Sequence, residues 1–180
     1  WISYNLEVEN DSLNALLGSI ADSAFITSHL SGTSTYYGEN GWFGSLKTLD
    51  PREMYKLKMS ESSSASIIGS AMTASENPIN LISGFNWIGY LPQNPGDVTT
   101  AFESIGDLGM FVTSQLLGTS TNYGEYGWYG DLGTLVPGAG YLLKMSALGT
   151  LTYPEFGLAR VAENKPPVEL TQATADWDFN

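Results

Sequence analysis

The sequence contains no cysteine and a single histidine, His29. Without thiols there is no disulfide framework, thiolate metal site or thiol nucleophile, and one imidazole cannot supply paired metal ligands. Cations are scarce as well. Seven Lys and Arg stand against nineteen Asp and Glu, a formal net charge of −12. That balance argues against nucleic acid or an anionic membrane as the main partner, because both demand a basic surface. Long apolar runs are missing too: Ala15 to Leu17 and Leu81-Ile82 fall far short of the roughly 20 residues that span a bilayer. The chain opens on Trp1 with neither Met nor a basic-then-apolar leader, as expected of a processed product or a fragment.

What is present is a glycine-rich and aromatic composition. Among 180 residues there are 20 Gly, 10 Tyr and 5 Trp, and only 14% are charged. At 42% hydrophobic the chain has enough apolar material for a core, and the mix points to a β-rich extracellular protein. Absence of Cys is neutral on compartment, since many secreted bacterial proteins lack disulfides.

The chain repeats itself with an offset of 86 residues. Trp1-Ile2 recurs as Trp87-Ile88 and Tyr4 as Tyr90, and residues 27–60 map without a gap onto 113–146, with 22 of 34 positions identical. The shared pattern is Thr27-Ser28-x-Leu30-x-Gly32-Thr33-Ser34-Thr35-x-Tyr37-Gly38-Glu39-x-Gly41-Trp42-x-Gly44-x-Leu46-x-Thr48-Leu49-x-Pro51, closing on Tyr55-x-Leu57-Lys58-Met59-Ser60. A match of that extent makes the chain two copies of one structural unit. The expected architecture is mainly β with one short helix per repeat (α+β). It comprises one module over 1–70, a lead-in strand and second module over 71–154, and an extended strand-like tail over 155–180.

Within each unit an aromatic strand comes first, Trp1 to Leu6 or Phe85 to Leu91, followed by a polar turn. Asp11 and Asp97 are good N-caps for the helix that should follow. Leu13, Leu16, Leu17 and Ile20 recur at helical spacing, and Ala101, Phe102 and Ile105 do so more weakly. A strand from Phe25 to Leu30 or Phe111 to Leu117 leads into a glycine-punctuated hairpin or compact loop. After a Pro-containing turn, Tyr55 to Ser60 alternates as a strand.

Three segments carry a resemblance: Gly84-Phe85-Asn86-Trp87-Ile88-Gly89-Tyr90-Leu91-Pro92, Gly127-Trp128-Tyr129-Gly130-Asp131-Leu132 and Pro137-Gly138-Ala139-Gly140-Tyr141-Leu142-Leu143-Lys144. Their order and spacing resemble the tandem repeats of large secreted or surface-anchored bacterial proteins, over nearly the whole chain to about Pro154. The resemblance implies an extracellular or cell-surface, multi-copy, non-catalytic context and carries no characterised site. The first copy departs from it where Arg52-Glu53-Met54 replaces the glycine-rich turn.

Asn77 to Asn86 form a strand-like lead-in to the second copy, whereas the first begins at Trp1. Downstream, Pro167-Val168-Glu169-Leu170 and then Trp177 echo Pro78-Ile79-Asn80-Leu81 and then Trp87. An uncovered strand edge is an aggregation hazard, and a strand added from another chain covers it. Trp1, Ile2, Pro167, Val168, Leu170 and Trp177 are therefore the candidate assembly residues. Copies of the chain, added head to tail, are the expected partner. The other reading keeps the protein structural but makes the tail the start of the next module in a longer array.

The aromatic loops carry the competing function, a carbohydrate-binding or adhesive module. Aromatic faces stack on sugar rings while amides and carboxylates bond hydroxyls, and tandem sites gain by avidity. Trp42 and Trp128 read as core anchors, so Tyr36, Asn40 and Phe43 and their counterparts Asn122, Tyr126 and Tyr129 are the candidate glycan contacts. Glu39 and Glu125 sit at equivalent positions of two repeats, too alike in setting for an acid and base pair. No Asp-x-Asp-x-Asp run signals calcium. No catalytic residue, metal site or cofactor is expected, and the chain reads as no enzyme. Asn10-Asp11-Ser12 is a formal N-glycosylation sequon. Lys58 and Lys144 read as part of a solvated strand face, and His29, aligned with Gln115, as a surface residue.

Overall fold

The computed structural model describes residues 1–20 and 24–157 and the backbone of a strand over 173–179. The fold is mainly β. The first half contributes β1 (Leu6–Glu7), α1 (Leu13–Leu17), β2 (Phe25–Thr27), β3 (Thr33–Tyr36), β4 (Trp42–Gly44), β5 (Lys56–Lys58) and β6 (Ser63–Ala71). The second contributes β7 (Ile79–Leu81), β8 (Gly84–Gly89), β9 (Gly96–Asp97), α2 (Val98–Ala101), β10 (Gly109–Ser114), β11 (Thr119–Asn122) and β12 (Trp128–Gly130). It continues through β13 (Thr134–Leu135), β14 (Gly140–Met145) and β15 (Gly149–Leu151), and β16 (Ala173–Phe179) ends the order.

Two antiparallel sheets dominate, with strand orders β4-β3-β2-β5 and β12-β11-β10-β14-β8. Repeated residues hold them in the same way. Ser34 and Ser120, both buried, donate from Oγ to the carbonyls of Leu46 and Leu132 at 2.5 and 2.7 Å. The Tyr55 and Tyr141 hydroxyls accept the N–H of Asp50 and Val136, each at 2.7 Å, pinning the proline turn to the strand that follows it. Gly44 and Gly130 both lie at φ +154°, where an added Cβ would stand 2.1 Å from the carbonyl oxygen of Thr33 or Thr119. Only glycine fits such a conformation without strain.

Two departures from the sequence reading have local causes. The strands expected to reach Leu30 and Leu117 stop at Thr27 and Ser114, because Ser28 and its counterpart Ser114 turn the chain. Ser28 Oγ accepts from the N–H of Leu30 and Ser31, and Ser114 Oγ accepts from Leu116 and Leu117. The helix caps are unequal as well. Asp97 caps α2 as expected, accepting from Thr99 and Thr100, but Ser12 rather than Asp11 caps α1, accepting from Ala15.

Apolar side chains gather in two clusters. Tyr4, Leu6, Leu13, Leu17, Ile26 and Trp42 belong to one, and Tyr90, Phe102, Val112, Trp128, Tyr141 and Tyr153 to the other. Between them runs a reciprocal seam. Ile2 bridges Ala139 and Ile88 bridges Glu53. Ser3 N–H donates to Gly138 O and Gly89 N–H to Arg52 O, both at 2.9 Å; Gly140 N–H donates to Trp1 O and Met54 N–H to Trp87 O, both at 3.3 Å. Every pair maps onto its partner by the 86-residue offset. Residue i meeting j while j's counterpart meets i's is the hallmark of an isologous contact.

Buried tyrosines give the fold an alkaline limit. Burial raises the hydroxyl pKa of Tyr141 to about 12 and also raises those of Tyr4, Tyr55, Tyr90 and Tyr153 above the ordinary value. An unfolded tyrosine ionises near 10. Above that pH the unfolded chain loses protons that the folded chain keeps, so stability is full below about pH 10 and falls as pH rises further. Each tyrosine contributes a slope of up to about 1.4 kcal/mol per pH unit. Urea midpoints measured from pH 8 to 12 should hold to about pH 10 and then drop steeply; a flat profile to pH 12 would contradict the burial assigned to these rings.

Candidate functional site

The edge of β6 is the site on which the assembly reading turns. The strand alternates, with Ala65 and Ile67 buried and Ser64, Ser66 and Ile68 exposed. It lies in the middle of a three-stranded sheet ordered β1-β6-β16. Toward its C-terminal end it pairs with β1, Leu6 opposite Ala71 and Glu7 opposite Ser70. Along the rest it pairs antiparallel with β16, from Ala173 opposite Gly69 to Phe179 opposite Ser63.

The second half offers a direct comparison. There β15 pairs with β7, placing Gly149, Thr150 and Leu151 opposite Leu81, Asn80 and Ile79. Subtracting 86 from the β15 numbers gives Ser63, Ser64 and Ala65, which stand opposite Phe179, Asp178 and Trp177. Trp177-Asp178-Phe179 thus holds the register positions of Ile79-Asn80-Leu81, apolar matched with apolar and polar with polar. In β7 the two apolar residues are buried and Asn80 is exposed.

This register revises the expected assembly residues. Trp177 matches Ile79 rather than Trp87. Pro167, Val168 and Leu170 lie outside the described residues. Trp1 and Ile2 lie at the seam between the halves. Ile2 is buried in the seam, its N–H donating to Tyr55 O at 2.9 Å, and the Trp1 ring lies beside Lys56. Across the same seam the Trp1 nitrogen donates to the Gln115 side chain, while His29, the counterpart of Gln115, stacks on Trp87 at 5.4 Å.

The aromatic loops divide. Trp42 and Trp128 are buried, in line with their reading as core anchors, and Trp42 Nε1 donates to Leu17 O at 3.1 Å. Tyr36 is also buried, which corrects its assignment as an exposed contact: it packs on Trp42, and its hydroxyl donates to Gly18 O. Asn122 serves the structure too, donating to Gly106 O and Gly109 O and accepting from Gly124 N–H. Asn40, Phe43, Tyr126 and Tyr129 are exposed as expected. The repeated tyrosines, Tyr37 and Tyr123, join them, edge-on to Phe43 and Tyr129 at 6.0 and 6.2 Å. Identity between the copies does not separate these exposed tyrosines from the buried Trp42 and Trp128, so pattern alone misses them.

Glu39 and Glu125 are exposed on equivalent short turns. Asn10 is exposed, its Oδ1 accepting from Ser12 N–H. Among the described residues no cluster of three or more His, Asp or Glu is placed to hold a metal, and no helix is long and apolar enough to cross a membrane. No protein-family model, curated protein or solved structure matches the chain.

Proposed function

We propose that the chain is an extracellular or cell-surface structural subunit, two tandem modules followed by a strand that completes the first of them, building head-to-tail fibres or arrays. The observation that carries this is the shared register of β16 on β6 and β7 on β15. A strand from the far end of the sequence occupies a place that the second half fills from its own lead-in. If a neighbouring copy supplies the strand, every ladder bond is kept and only the donor molecule changes, the relation that underlies domain swapping. The fifteen residues 158–172 that separate β16 from the preceding described segment can extend to roughly 50 Å, enough to reach an adjacent copy. Donation is heterologous, so copies can add head to tail into an open filament where the rotation does not close a ring.

Sedimentation velocity and negative-stain microscopy of the full chain over rising concentration test this. Head-to-tail oligomers are expected, suppressed by a free peptide of residues 166–180 and absent from a Trp177→Asp, Phe179→Asp variant. A monomer at all concentrations, or oligomers indifferent to both peptide and variant, would remove the strand-exchange reading.

A further inference from the structure

The solvent-facing side of each main sheet repeats one cross-strand ladder. In the first half the register runs Phe43, Thr35, Phe25, Lys58 across β4-β3-β2-β5. In the second, Tyr129, Thr121, Phe111 and Lys144 occupy the same places across β12-β11-β10-β14. Phe85 of β8 extends the second row, 5.7 Å from Lys144 Nζ. Phe25, Phe43, Phe85 and Tyr129 are exposed, although the inner faces of the same strands are buried. Exposed aromatics ranked along an outer sheet face mark an interaction surface rather than a core.

Charge on this surface runs against the rest of the molecule. Of the five cations among the described residues, Lys56, Lys58 and Lys144 all lie on these outer faces, and neither ladder holds one of the chain's nineteen carboxylates. Lys56 Nζ lies 5.1 Å from the Trp1 ring and 4.3 Å from the Trp87 ring, linking the two faces across the seam. At physiological ionic strength charges are screened beyond about 8 Å, so a ligand on the face responds to the lysines more than to the net charge of −12.

We infer that the two outer faces form a binding surface for a linear anionic polysaccharide, its sugar rings on the aromatic rungs and its carboxylates on the lysines. Neighbouring strands are spaced about 4.8 Å apart, close to one pyranose per strand along an extended glycan. A chain crossing the strands then meets ring, hydroxyl, ring and ammonium in turn. A disaccharide unit matches the separation of the two aromatic rungs, and the ammonium at the fourth strand selects for acid. The surface is separate from the strand-exchange site: its ladders lie on β4-β3-β2-β5 and β12-β11-β10-β14-β8, whereas β16 belongs to the β1-β6-β16 sheet.

Affinity electrophoresis and calorimetry of the full chain at 0.15 M salt test it, with polygalacturonate as probe. Neutral hydroxyethylcellulose and polyglutamate serve as the uncharged and non-saccharide controls. Polygalacturonate should bind and the two controls should bind more weakly. Phe43→Ser with Tyr129→Ser should weaken polygalacturonate binding about tenfold or more, as loss of aromatic anchor contacts does. Lys58→Gln with Lys144→Gln should erase the preference over the neutral glycan while leaving the aromatic rungs in place. Failure of the unaltered chain to bind, polyglutamate binding as tightly as polygalacturonate, or either double variant behaving as the parent would overturn the assignment.

Discussion

Amide exchange along Ser63 to Gly69 should accelerate at least about 100-fold when Trp177 and Phe179 are both replaced by Asp, while exchange along Gly149 to Leu151 stays unchanged. The two substitutions fall at register positions matched by Ile79 and Leu81, which are buried. A carboxylate at such a position cannot be desolvated without a partner, and loss of a large apolar side chain there costs about 3 kcal/mol, two decades in an opening equilibrium. With its partner loosened, β6 keeps β1 only at Leu6 and Glu7. Protection of β15 depends on β7 and is the internal control. Equal protection of β6 in parent and variant would mean that β16 contributes nothing to this sheet.

The seam between the halves predicts a second large effect, and an asymmetric one. Gly89 and Ser3 are counterparts, yet their surroundings differ. A Cβ on Gly89 would stand 2.0 Å from the carbonyl oxygen of Pro51, backbone that cannot swing aside. Ser3 carries a side chain in the matching place, and its Oγ donates to Ala139 O at 2.7 Å and accepts from Tyr90 N–H at 3.3 Å. The difference traces to the facing turns. Asp50-Pro51-Arg52-Glu53 and Val136-Pro137-Gly138-Ala139 are both closed by a bond from fourth N–H to first carbonyl, but only the second holds a glycine with φ +81°.

Gly89→Ser, an exchange that copies the first half into the second, should therefore destabilise by about 1–3 kcal/mol through overpacking. In a chain of this size that lowers Tm by roughly 3–10 °C. Ser3→Gly loses two hydrogen bonds but opens no clash, and about 1–2 kcal/mol is expected. Thermal unfolding of the two variants beside the parent reads both. A Gly89→Ser protein as stable as the parent would contradict the close approach of β8 to the Pro51 turn.

Much of the fold was legible because the repeat doubles each signal. Ser34 with Ser120, Tyr55 with Tyr141 and Trp42 with Trp128 are identical in both copies, and each pair is buried. Variation is harder to interpret. Tyr36 and Asn122 differ, yet both tie their strand, β3 or β11, to the segment that follows the helix of their half, Tyr36 through Gly18 O and Asn122 through Gly106 O and Gly109 O. Two side chains of different shape meet the same need, which alignment of the copies registers only as difference.

The tail hides its register for a related reason. Pro167-Val168-Glu169-Leu170 copies the composition of the lead-in and competes with Trp177-Asp178-Phe179 for the same alignment. The period-two alternation of Ala173, Ala175, Trp177 and Phe179 against Thr174, Asp176 and Asp178 is the stronger strand signal, and β16 forms over it. The reciprocal main-chain bonds of the seam were not legible: they join backbone groups at Ser3, Arg52, Gly89 and Gly138, and no side-chain pattern announces them.

The most direct measurement exploits the absence of native cysteine. Ser64 and Asp178 stand opposite each other in the β6–β16 register, so a Ser64→Cys, Asp178→Cys chain can close one disulfide across that pair. Oxidised at high protein concentration and run without reductant, it should give a ladder of covalent dimers, trimers and longer species, each single-cysteine variant stopping at dimer or monomer. A product that is entirely intramolecular would confine the strand to its own chain and contradict the fibre account, and no disulfide at all would contradict the register on which that account rests.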